Sequence, residues 1–145
     1  MFSSSPYPAL HRAPASVYRE VDASTALDGA SPHKLVSLLF AALANQIANA
    51  RGALARRDIA EKGRAIAHAV RILEEGLVAP LDMQAGGSIA SNLRDLYDYM
   101  VQQLTRANLY NNDAPLAECS RLVETVRSGW DAIKDQASTH AARAA

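Results

Sequence analysis

The residues best equipped for chemistry in this 145-residue sequence are its four histidines, His11, His33, His68 and His140. His68 lies in AIAHAVRILEEG, roughly 200° around a helix from the apolar Ile66 at about 100° per residue. An imidazole placed there can accept a phosphoryl group. A phosphotransfer histidine, however, is followed by lysine and then by glycine and a small residue that admit the donor protein, whereas Val70, Arg71, Ile72 and Leu73 follow His68. His68 therefore reads as a surface residue, and phosphotransfer at His68 stands as the alternative function. A di-iron centre of the kind helical bundles hold needs Glu-x-x-His pairs, and the sequence contains none. Gly86 and Gly87 follow a helical pattern and lack the lysine and hydroxyl residue of a phosphate loop. Serines are frequent, but none pairs with a histidine and a carboxylate in a triad pattern. The single cysteine, Cys119, occupies an apolar helical position and excludes an internal disulfide. The expectation is a protein that is not an enzyme and uses no metal or other cofactor.

The elements around these residues are helical. Ser31 and Pro32 announce a first helix, because serine caps the free backbone donors and proline lacks the N–H that has no partner there. Leu35, Leu39, Leu43 and Ile47 recur at four-residue spacing toward Ala55, with Val36, Phe40 and Leu54 on the same side. Leu38 and Ala42 widen that arc to roughly half the circumference, more than one packed seam needs. A second helix starts at Asp58, with Glu61 in capping-box position, and runs to about Val78. Its seam is Ile66, Val70, Leu73 and Leu77, beside a row of Ala65, Ala69, Ile72 and Gly76. Pro80 stops it. A third helix spans about Ser88 to Asn108, with Ile89, Leu93, Leu96, Met100, Leu104 and Ala107 inward, and Tyr97, Tyr99 and Val101 on the shoulders. Asp113 and Pro115 open a fourth, whose stripe runs from Leu116 through Cys119, Leu122, Val123, Val126 and Trp130 to Ile133.

Four helices joined by short connections predict an all-α, antiparallel four-helix bundle over 31–135. Residues 1–30 are expected to form a mobile N-terminal arm, and 136–145 a frayed tail. Val17, Tyr18, Val21 and Leu27 are apolar positions in an otherwise loop-like stretch and call for a cover. Fifteen basic and fifteen acidic residues cancel, so no net field draws nucleic acid or acidic lipid. No stretch reaches the roughly 20 apolar residues of a membrane helix, and the N-terminus lacks a secretory pattern. A soluble, cytoplasmic protein is expected, monomeric or a weak homodimer, whose partners are held by shape and apolar contact.

TALDGASPHKLVSLLF, GGSIASNLRDLYDYMVQQLTRAN and the late Gly-Trp resemble the flagellar export chaperone family FliS, from about Tyr18 to Ile133. The glycine pair followed by Asn-Leu, Leu-Tyr-x-Tyr, Leu and Ala-Asn is the specific part. Phe40 stands where tyrosine is common, and the usual Asp-Gly after it is missing. The resemblance implies a bundle that binds the disordered C-terminal segment of flagellin, prevents premature polymerisation and assists delivery to the flagellar type III export gate. Other flagellar regulators are possible sharers of that surface. It also implies a groove between helices, to which Leu38, Ala42, Ile72, Tyr97, Met100 and Val101 are expected to contribute. An N-terminal segment can lie over part of such a groove, which would give Val17, Tyr18 and Val21 a place. A self-assembling structural bundle is a third reading.

Overall fold

The computed structural model describes residues 6, 7 and 31–144, with side chains through 133. Among them there are four helical elements and no strand. Helix α1 spans Pro32–Ala55, and Ser31 caps it by accepting a hydrogen bond from the Lys34 amide at 3.1 Å. Its buried face is Val36, Leu39, Phe40, Leu43, Ile47, Ala50 and Ala53, the expected arc extended by small residues that let neighbouring helices approach.

The chain leaves α1 through a left-handed turn. Arg57 has φ 61°, and the Asp58 amide reaches back to the Ala53 carbonyl at 2.8 Å, closing the last turn. Glycine is the usual residue at such a position because it has no Cβ to clash. Helix α2 then spans Ile59–Arg71, and Asp58 Oδ1 accepts from the Glu61 amide at 3.1 Å. The reciprocal half of the capping box is not the contact made by Glu61, whose carboxylate pairs with Arg64.

From Ile72 to Val78 the helix continues with the wider π spacing. The extra residue per turn turns the surface locally, so that Ile72, Leu73, Gly76 and Leu77 are all buried. The small-residue row read beside the seam is thus interior too, since Ala65 and Ala69 are buried with Ile66.

The two glycines before the third helix have different tasks. Gly86 is buried, and a Cβ there would stand 2.6 Å from Ala90 Cβ and 2.9 Å from the Asp82 carbonyl. Gly87 has φ +56°, the left-handed conformation that glycine tolerates. Asp82 organises this connection by accepting the Gln84 and Ala85 amides on Oδ1.

Helix α3 spans Gly87–Tyr110, and its buried residues are Ala90, Tyr97, Met100, Leu104 and Ala107. This corrects the expected stripe: Ile89 is 51% exposed, Leu93 and Leu96 are half-buried, and Tyr97 lies in the core rather than on its shoulder. Helix α4 spans Asp113–Ala144, through the stretch expected to fray, with Asn112 Oδ1 accepting the Ala114 amide at its start. Leu116, Cys119 and Val123 are buried, whereas Ile133, read as the end of the stripe, is 52% exposed.

Helix α1 packs on α2 and α4, and α3 packs on the same two. With short turns between consecutive helices, this is the antiparallel four-helix bundle. Two polar ties fix one end of it, where α1 and α3 finish and α2 and α4 begin. Arg51 grips Asp113 through both carboxylate oxygens at 2.9 and 3.0 Å, joining α1 to the start of α4. Lys62, buried on α2, donates from Nζ to the Asn108 carbonyl at 2.9 Å and to Asn111 Oδ1 at 2.6 Å. A cation at that point satisfies a C-terminal carbonyl of α3 and complements the helix dipole.

Relieving the one arginine in left-handed conformation should stabilise the protein. Arg57→Gly is expected to raise unfolding free energy by about 0.5–1 kcal/mol, measured by urea denaturation; an unchanged or lower midpoint would show that the turn carries no strain.

Candidate functional site

The residues with unusual surroundings converge where α1, α3 and α4 meet the N-terminal segment. Tyr7, in the stretch read as a mobile arm, is 1% exposed and belongs to the core cluster. Its hydroxyl donates to the Tyr97 hydroxyl oxygen at 2.9 Å. The Trp130 ring meets Tyr7 edge to face at 6.0 Å between centroids and Phe40 in the same manner at 6.4 Å. His33 stacks on the other side, 4.4 Å from Trp130 with the rings 14° apart, and the Trp130 indole N–H donates to the His33 carbonyl at 3.1 Å. Aromatic residues from every helix but α2 thus build one wall, with the Tyr7 hydroxyl and the Trp130 indole N–H each placed against an acceptor.

Burial raises the Tyr97 phenol well above the usual tyrosine range, and the hydrogen bond from Tyr7 offsets part of that rise. A phenol held neutral in this way serves packing, not proton transfer. Cys119 is also buried, its thiol pushed up to about 12 by burial and by the Glu118 charge, with Sγ 3.7 Å from the Met100 carbonyl. That is an inert core thiol.

The six groove residues read from sequence separate into two groups. Ile72, Tyr97 and Met100 are buried in the core cluster. Leu38, Ala42 and Val101 are half-buried, and the last two pack against that cluster. Of the six, Leu38, Ala42 and Val101 are the ones that keep some accessible surface. Val17, Tyr18 and Val21 lie outside the described residues. Tyr99 has a polar task beside the arc: its hydroxyl donates to Glu118 Oε1 at 2.8 Å, which also accepts from Gln103, bridging α3 to α4.

Sequence reading missed Tyr7 and Asp82, because neither lies in a periodic stretch. The available signal was Tyr97: an aromatic with a polar tip, next to the inward stripe, needs a partner if the helix rolls it inward. His68 is half-buried, and its Nε2 atom has no solvent-exposed surface, which leaves the phosphotransfer alternative without an accessible acceptor at that atom. No group of three or more histidine, cysteine or acidic residues is placed to hold a metal ion among the described residues, and no helix there is long and apolar enough to cross a membrane.

Comparison with known proteins agrees with this architecture. The sequence model of the family "Flagellar protein FliS" matches residues 14–137. The chain is 37% identical over 126 residues to the flagellar secretion chaperone FliS of Salmonella typhimurium, covering 87% of this chain and 93% of the relative. It is 41% identical over 116 residues to flagellar secretion chaperone FliSB of Pseudomonas aeruginosa, covering 80% and 91% respectively. With the flagellar secretion chaperone FliS of Vibrio cholerae it shares 35% identity over 116 residues, 80% of this chain and 85% of the relative.

The Tyr97 environment has a consequence at alkaline pH. Its folded pKa is raised, so the contribution is fully present below the ordinary phenol pKa of about 10 and is lost as pH rises beyond it. Urea unfolding between pH 8 and 11 should show stability falling on the alkaline side. Tyr97→Phe should flatten that fall while lowering stability at pH 8 by about 1 kcal/mol through the lost hydrogen bond. An equally steep alkaline loss in the variant would contradict the assignment.

Proposed function

The chain belongs to the flagellar protein FliS family, and from that premise we propose that it is a cytoplasmic chaperone for the C-terminal segment of flagellin. Bound to the bundle, that segment is withheld from premature polymerisation and delivered to the type III export apparatus. The observation that carries this reading is the likeness to flagellar secretion chaperones over most of both chains.

The physics of the surface supports it. A disordered segment becomes helical by laying apolar anchors at helical spacing into a groove, and the anchors must find apolar surface that the core has not consumed. Leu38, Ala42 and Val101 retain such surface. Ile72, Tyr97 and Met100 form the floor beneath it in this proposal, holding the wall in place instead of touching the client directly. Val17, Tyr18 and Val21 would cover the same surface in the absence of client. Chaperoning of this kind involves no bond making, and no catalytic group is invoked. The binding energy is apolar, at about 25 cal/mol per Å² buried less the ordering of the client.

Co-purification of the protein with flagellin, with and without its last helical segment, tests this reading: a one-to-one complex is expected with the intact flagellin and none with the truncated one. Capture of both forms alike, or of neither, would contradict it. The groove itself is tested by Leu38→Ser combined with Val101→Ser, both half-buried. The pair should weaken flagellin binding by roughly 10- to 100-fold, because two desolvated anchors are lost, while circular dichroism shows an unchanged helical bundle. Wild-type affinity in a folded variant would rule out this part of the surface.

A further inference from the structure

Pro6 and Tyr7 enter the bundle far from their place in the chain, and four features of the bundle fit them. The Asp82 amide donates to the Pro6 carbonyl at 2.9 Å. Gly86 has no side chain where Pro6 lies, and a Cβ there would stand 3.1 Å from the Pro6 Cα. Tyr97, itself buried, accepts the Tyr7 hydroxyl. Trp130 closes the side of the Tyr7 ring and is fixed by its own hydrogen bond to His33 and by stacking. These groups come from the connection after α2, from α3 and from α4, and together they define a shape, an N–H that donates to a carbonyl and a hydroxyl oxygen that accepts from a phenol.

We propose that they form a socket for a proline–tyrosine pair, and that Pro6–Tyr7 stays seated there as a permanent part of the fold when a client binds. Release would empty the space between Tyr97 and Trp130, remove the acceptor of the Asp82 amide and separate two buried hydroxyls. Losing a buried aromatic of this kind shifts a folding or docking equilibrium by roughly 100- to 1,000-fold. A client that had to evict the pair would have its apparent affinity reduced by the same factor. A client that leaves the pair in place meets a wall already organised.

Only the client part of this inference rests on the flagellin reading.

Hydrogen exchange under native conditions at the Asp82 amide, whose acceptor is the Pro6 carbonyl, tests the socket. The amide is expected to exchange as slowly as the core amides of α1, through global unfolding, and to remain as slow when the flagellin C-terminal segment is added at saturation. Exchange roughly 100-fold faster than the core in the free protein, or acceleration on adding the segment, would overturn the proposal. Tyr7→Ala should lower Tm by roughly 10 °C and should not raise affinity for the segment. A rise would mean that Tyr7 is a displaceable cover and would overturn it as well. Tyr7→Phe, which keeps the ring, should retain the fold and the slow exchange. If the wild-type protein binds no flagellin at all, the function proposed above fails, and the Asp82 exchange in the free protein still decides on the socket.

Discussion

A phenol buried in a helical core must find a hydrogen-bond partner, and for Tyr97 the partner lies ninety positions earlier in the chain. That single pairing explains why α3 is rolled so that Tyr97 faces inward and Ile89 faces solvent. It brings Tyr7 against Trp130 and closes the aromatic wall to which Phe40 and His33 also contribute. Without it the inward face of α3 would be better filled by an aliphatic residue, and the bundle would need nothing from outside its four helices.

The rest of the bundle is assembled from ordinary parts, two of which fix the end where α1 and α3 finish. Arg51 and Asp113 are exposed, so their ion pair adds register more than stability. Lys62 is different, because its ammonium is buried and held by two oxygens at the end of α3. Away from that end, α1 buries its central leucines and leaves Leu38 and Ala42 half-buried, as is Val101 of α3. In a family of flagellar secretion chaperones, that residual apolar surface is where the proposed client segment would complete the packing.

The parts of the fold governed by local rules were legible from the residues. Ser31 and Asp58 cap where their types predict, proline opens α1, and the four-residue spacing from Leu35 to Ile47 identifies the α1 face. What escaped was set by tertiary contact. The π stretch from Ile72 goes with the burial of two neighbouring rows of residues, which no one-face pattern announces. The left-handed Arg57 breaks the preference for glycine. Tyr7 lies between prolines and serines, where composition predicts disorder, and its burial depends on a socket built from elements distant in sequence. Of the six candidate site residues, Ile72, Tyr97 and Met100 lie in the core and Leu38, Ala42 and Val101 are half-buried, a division that depends on how each helix is rolled and that periodicity alone does not show.

The central claim is that this bundle recognises the C-terminal segment of flagellin by apolar burial coupled to folding of that segment. Isothermal titration calorimetry with the isolated segment over a range of temperatures measures this directly. The account predicts one-to-one binding with a clearly negative heat-capacity change, the mark of apolar surface removed from water as the segment orders. Absence of binding heat at every temperature, or binding whose enthalpy does not vary with temperature, would contradict it.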